Sequence, residues 1–188
     1  MLIQDHIENI NFLKILPILL LFGVQSSFAQ IPVKEVPADY GYIVKIGNQA
    51  PPFSTTLVNG KAISTANFKG KVVMLQFTAS WCSVCRKEMP FIERDIWLKN
   101  KTNKNFVLIG IDLDEPLEKV KKFQDDIKVT YPMALDPGGK IFGLFAEKKA
   151  GVTRNVILDK TGKIVYLTRL YKEDEFAEMV KVIETLLK

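Results

Sequence analysis

The apolar run Val72-Val73-Met74-Leu75-Gln76-Phe77 leads almost directly into Trp81-Cys82-Ser83-Val84-Cys85, and this junction constrains the fold more than any other stretch. A continuous apolar run of this kind reads as a strand buried on both faces. Helical spacing follows it, so the two cysteines fall at a strand-to-helix turn. On a helix, residues three apart share a face with Cβ atoms about 5–6 Å apart. That is close to what a disulfide accepts, a Cα separation of about 4.4–6.8 Å. The pair can therefore make and break a bond with little backbone movement, at a surface that a partner can reach. These are the only two cysteines in 188 residues. A bond closing over two intervening residues removes little unfolded-state entropy, so redox chemistry explains the pair better than stapling does.

Around this junction the pattern predicts a short strand near Phe53–Leu57, a turn at Asn59-Gly60 and a return through Lys61–Ile63. Ser64–Phe68 reads as a helical turn. The helix after Cys82 should run to about Lys99, with Met89, Ile92, Ile96 and Trp97 facing the core and a kink at Pro90. Phe106–Ile111 is a second apolar strand, and Asp114-Glu115-Pro116 starts a helix. A short helix is expected near Lys140–Phe145. Val152–Leu158 and Lys163–Leu167 then form an antiparallel hairpin around Asp159-Lys160-Thr161-Gly162. A final helix over Glu173–Leu187 should bury Phe176, Met179, Val180, Ile183 and Leu187. The order β, β-α-β-α, β-β-α gives an α/β fold: a mixed central β-sheet with helices on both faces and an N-terminal β-hairpin extension.

The N-terminus reads differently. Phe12–Val24 is an apolar core too short for a comfortable membrane span. Ser27 and Ala29 place a signal-peptidase site before Gln30, although Asp5 and Glu8 against Lys14 are the wrong charge for the leader's start. The expected organisation is a signal peptide or N-terminal anchor over 1–29, a lead-in over 30–43 and one domain over 44–188. Membrane association is expected only if the first segment is uncleaved. Removing 1–29 leaves 25 basic against 19 acidic residues. The lysines alternate with acids, as on solvated helix faces, so no nucleic-acid partner is expected. The lone histidine, His6, lies in the leader. That excludes a histidine base or histidine-ligated metal in the mature domain, and zinc wants four ligands. No cofactor or metal is expected.

The chain resembles the thioredoxin superfamily, specifically the exported TlpA/ResA-like thiol–disulfide oxidoreductases. The resemblance rests on Gly47…Ala50-Pro51…Phe53, Asn59-Gly60-Lys61, Phe68-Lys69-Gly70-Lys71-Val72-Val73, Ser80-Trp81-Cys82-x-x-Cys85-Arg86-Lys87-Glu88-x-Pro90 and Leu158-Asp159-Lys160-x-Gly162-Lys163-Ile164. It implies the thioredoxin fold over about 44–188 and dithiol–disulfide exchange with a protein disulfide, recharged by an upstream thiol–disulfide electron donor. It also implies export, in a bacterium to the periplasm, with a possible place in cytochrome c maturation. Glu88 matches a glutamate thought to shuttle the resolving thiol's proton; read alone it is equally a solvated helix charge. Trp81 would shield the sulfurs.

Two departures stand out. Thr153 occupies the place of the family's cis-proline, where a trans bond is expected because a non-proline cis bond costs about 3–4 kcal/mol; it reads equally as an ordinary strand residue. Gln76 replaces the buried acid that thioredoxin itself has beneath the cysteines. Ala79, three before Cys82, is not the threonine of thiol peroxidases.

By position, Cys82 is the attacking thiol, because helix N-terminal amides and the dipole stabilise a thiolate, and Cys85 resolves the mixed disulfide. The neutral Ser83-Val84 pair tilts the site toward reduction. The alternative is a non-catalytic thioredoxin-fold binding module or redox sensor, which the substitution at 153 keeps open.

Overall fold

The computed structural model describes residues 35–188; His6 and the leader expected over 1–29 lie outside the described residues. A small antiparallel hairpin, β1 (Ser54–Thr56) and β2 (Ala62–Ser64), comes first. Its turn closes where Asn59-Gly60 predicts it, with the Gly60 N–H donating to the Leu57 carbonyl at 2.8 Å. The main sheet contains β3 (Val72–Thr78), β4 (Phe106–Leu113), β5 (Met133–Asp136), β6 (Arg154–Leu158) and β7 (Ile164–Arg169) in the order β5-β4-β3-β6-β7. β3, β4 and β5 run parallel, while β6 lies antiparallel to β3 and β7 antiparallel to β6. The sheet is mixed, as the sequence order requires.

Every residue of β3 is buried, so the central strand is covered on both faces. Phe77 points to one face, its ring 5.6 Å from Phe142 and 5.4 Å from Phe145 in α4 (Phe142–Phe145). Thr78 points to the other, where its hydroxyl meets Met89 Sδ in α1 (Ser83–Ile92) at 3.4 Å. The second face also carries α3 (Leu117–Ile127), over whose Phe123 ring Arg86 of α1 lies at 5.0 Å. α5 (Glu173–Leu187) joins α1 through contacts among Phe91, Tyr171 and Phe176.

Several local expectations change. The helix after the cysteines is interrupted one turn later than a simple proline kink would place it. Pro90 sits inside α1, a π-helical turn spans Glu93–Trp97, and a last turn, α2 (Leu98–Asn100), follows. The Glu93 N–H is shared between the carbonyls of Met89 and Pro90, at the junction where the helical ladder widens into the π-turn. β5 is an element that the pattern reading passes over. Pro132 and Pro137 bracket its four residues, and it survives because an edge strand needs a ladder on one side only. α3 begins at Leu117, with Pro116 as N-cap and Asp114 in a left-handed turn before it. In α5 the buried positions include Val182, while Val180 and Leu187 are only partly covered.

The lead-in from residue 35 onward is ordered against the domain. The Tyr40 hydroxyl donates to Glu175 Oε1 at 3.0 Å, and the Tyr42 hydroxyl reaches the Thr168 carbonyl at 2.7 Å. The Ile43 N–H donates to the Phe145 carbonyl at 2.9 Å.

Candidate active site

β3 ends at Thr78 and the chain turns over Ala79–Trp81, the Cys82 N–H bonding back to the Ala79 carbonyl at 3.1 Å. Cys82 then caps α1. Its backbone is extended (φ −87°, ψ 105°), and its Sγ accepts the Cys85 N–H at 3.2 Å. A donor that the helix cannot satisfy internally is thus spent on the sulfur. The turn is held from outside: Glu115 accepts the Ser80 N–H at 2.6 Å and hydroxyl at 2.8 Å, and pairs with Lys119 at 2.5 Å. Arg86 Nε donates to the Ser80 carbonyl at 2.7 Å.

Cys82 and Cys85 form a disulfide with Cα atoms 5.3 Å apart. Cys85 is wholly buried and Cys82 retains 8% exposure, so Cys82 carries the sulfur that another molecule can reach. Thr153 stands over the bond at the entry to β6, with its hydroxyl 3.1 Å from Cys82 Sγ and 3.2 Å from Cys85 Sγ. All peptide bonds among the described residues are trans, as expected for a residue other than proline at 153. Trp81, expected to shield the sulfurs, is itself 63% exposed at the turn before Cys82. It forms one wall of a cavity of about 330 Å³ with Leu113, Asp114, Gly138, Phe142 and Lys148.

Glu88 lies one helical turn beyond Cys85 and is 2% exposed, not a solvated charge. Asn155 Nδ2 donates to its Oε1 at 2.7 Å. Burial pushes the Glu88 carboxyl up to about 7, against the lowering influence of the Asn155 and Gln76 amides. Gln76 therefore borders the proton-holding group without being one. Its Oε1 accepts the Tyr131 hydroxyl at 2.7 Å. This contact depends on Gly110, the cross-strand partner of Gln76, because a Cβ there would meet the Tyr131 ring at 3.1 Å and collide with Met133. Asn155 is fixed in turn, its Nδ2 also donating to Thr168 Oγ1 at 2.9 Å.

Three further groups near the site carry no strong sequence signal. Asp112 is buried opposite Thr78, and burial, then the neighbouring Glu115 charge, raise its carboxyl to about 8. Burial raises Glu115 as well, but its bonds from Lys119 and Ser80 hold it below the ordinary value. Arg154 is buried between the rings of Tyr42 (4.6 Å) and Phe142 (5.8 Å), with Nη1 and Nη2 lacking hydrogen-bond partners. Asn155 could have been anticipated: two residues beyond Thr153 on one strand, it must share that face. Among the described residues no group of three or more His, Cys, Asp or Glu side chains could hold a metal ion.

Comparison with known proteins agrees with this geometry. The Redoxin family profile matches residues 45–187. The thiol–disulfide oxidoreductase ResA of Bacillus cereus is 36% identical over 122 residues, covering 65% of this chain and 68% of that protein. A solution structure from Bacteroides thetaiotaomicron, provisionally described as a protein disulfide isomerase, is 62% identical, with a TM-score of 0.77 over 78% of this chain and 92% of that one. A crystal structure from Chlorobium tepidum, provisionally described as the thiol:disulfide interchange protein DsbE, is 25% identical with a TM-score of 0.64, covering 76% and 99%. With its Cys82-x-x-Cys85 disulfide capping a helix on a thioredoxin fold, the chain belongs to the Redoxin family and is a thioredoxin-like thiol–disulfide oxidoreductase.

Proposed function

We propose that the protein works in the reducing direction on disulfides of exported protein partners, in the bacterial periplasm, with cytochrome c maturation as one setting. The observation that carries this reading is the asymmetry of the pair: one reachable sulfur at a helix N-terminus and one buried sulfur a turn from a buried carboxyl. In the reduced protein, the Cys82 thiolate attacks one sulfur of the partner's disulfide. A Cys82–partner bond forms, the partner's bond breaks, and its second sulfur leaves as a thiolate that takes a proton from water. Cys85 then gives its proton to ionised Glu88 and attacks Cys82 Sγ. This forms the internal disulfide and releases the partner's first sulfur as a thiolate. Two electrons pass to the partner, and an upstream dithiol donor restores Cys82 and Cys85.

Glu88 suits the proton transfer because a carboxyl raised to about 7 exchanges protons near neutral pH. Thr153 positions both sulfurs, and the neutral Ser83-Val84 pair supports the reducing direction. The apolar segment over 12–24 with Ser27 and Ala29 supports export, with a signal peptide over 1–29, a lead-in over 30–43 and the catalytic domain over 44–188. The Bacteroides relative favours a second reading, disulfide isomerisation, which shares the first attack but lets a substrate thiol resolve the mixed disulfide.

Insulin reduction with dithiothreitol tests the proposal. Wild type should accelerate precipitation of the insulin B chain and Cys82→Ser should not; an inactive wild type refutes it. Faster refolding of scrambled ribonuclease without insulin reduction would favour isomerisation.

A further inference from the structure

Arg154 is the largest side chain that the domain buries completely among the described residues. Its Nε donates to the Gly151 carbonyl at 3.0 Å, but Nη1 and Nη2 have no hydrogen-bond partner. Directly opposite it on β7 stands Arg169, so the two side chains share one face of the sheet. Arg169 Nη1 is buried and unpartnered as well. Ion pairs among the described residues involve Arg94, Lys119, Lys121 and Lys122, and neither of these two arginines. Glu147, whose charge acts on Arg154, is exposed and pairs with neither. Burial pulls the Arg154 guanidinium below its ordinary value, and the Arg169 charge lowers it further. Stacking on Tyr42 and Phe142 offsets part of the cost of burying this charge, but two like charges side by side without a counter-charge remain expensive.

The cover over the pair is thin. Gly151 is exposed, and Gly41 and Ala150 are partly so. A Cβ at Gly151 would lie 2.6 Å from Arg169 Nη2, and one at Gly41 would lie 3.6 Å from Arg154 Nη2 and 3.0 Å from the Ala150 Cβ. Two residues without side chains therefore lie against the guanidinium edges at the surface. The planar N–H fork of arginine matches the oxygens of a carboxylate or a phosphate, and here two forks are free. We propose that Arg154 and Arg169 form a binding site for a small oxyanion of the carboxylate or phosphate class, admitted at the Ala150-Gly151 turn. Arg169, the more exposed of the two, swings outward to let the oxygens reach Arg154 and closes over them. The site is separate from the exchange chemistry. Arg154 is the cross-strand partner of Phe77 and shares its face toward α4, whereas Thr153 turns its hydroxyl to the sulfurs. It therefore holds whichever direction the electrons take.

The test follows thermal unfolding of the oxidised full chain while inorganic phosphate, or citrate in a second series, replaces sodium chloride at constant ionic strength. Wild type should gain a saturable rise in melting temperature, about 5–11 °C at a hundredfold excess over Kd. Arg169→Gln and Arg154→Met should keep only the small linear rise that such salts give any protein. Arg154→Met thus melts no lower than wild type in chloride and falls behind it in phosphate, a reversal that a merely structural role would not produce. The Arg154 Nε–H resonance, read by 15N NMR in wild type, should shift with the same midpoint, which keeps the test sound if Arg154→Met does not fold. A saturable rise with one anion alone supports the site and names its class. No saturable rise with either anion, a full rise retained in Arg169→Gln, or an unmoved Arg154 resonance would overturn the assignment.

Discussion

Replacing Glu88 by glutamine should change how stability depends on pH, in a window that the structure sets. The carboxyl moves from an ordinary value of 4.5 to about 7 on folding, chiefly because it is buried. A raised carboxyl favours the protonated native state. Its contribution is therefore fully present below about pH 4.5 and is lost as pH rises through about 7. At about 1.36 kcal/mol per pH unit, the loss comes to about 3 kcal/mol. For a domain of this size each kcal/mol moves the melting temperature by about 2–4 °C, so wild type should fall about 6–12 °C further than Glu88→Gln between pH 4.5 and 8. Glutamine is close in shape, and its Oε1 can still accept the Asn155 amide. Asp112, raised to about 8, adds a slope of its own to both proteins and cancels in the difference. The assay is thermal unfolding of both oxidised proteins across that range. Parallel curves would refute the reasoning, since they would mean that Glu88 is hydrated or ionises without cost.

Other consequences are as direct. Cys85→Ser should trap a Cys82 mixed disulfide with a substrate peptide, detected by intact mass, because the buried resolving sulfur is gone. Thr153→Val removes the hydroxyl that lies within 3.2 Å of both sulfurs and should raise the Cys82 thiol pKa by about half a unit to one unit, in line with one hydrogen bond; thiolate absorbance at 240 nm reads it, and an unchanged titration counts against that contact. Arg154→Met should leave stability unchanged or raise it by about 1 kcal/mol, since the guanidinium is buried without a carboxylate partner. A large loss in chemical denaturation would show that its stacking on Tyr42 and Phe142 outweighs the cost of the buried charge.

Where one physical signal dominated, the sequence was legible. The apolar run at 72–77 and the spacing of Phe176, Met179 and Ile183 located the central strand and the last helix because burial sets their periods. β5 was not legible, since four residues between two prolines carry a loop's composition and take their pairing from β4. In the site, Cys82, Cys85 and the neighbourhood of Thr153 follow from the motif. The state of Glu88 does not: a glutamate after Arg86-Lys87 has a surface helix's composition, and only the β3–β6 register brings Asn155 beneath it. The exposure of Trp81 is not legible either, because large aromatics are usually covered and this one lies on an exposed turn.

The reduction potential of the Cys82–Cys85 pair tests the central claim most directly, measured by equilibrating the protein with thiol–disulfide buffers of graded potential. The account predicts a reversible two-electron transition on the reducing side of the family's range, nearer about −270 mV than −120 mV. A transition near −120 mV, or none that Cys82→Ser abolishes, would contradict it.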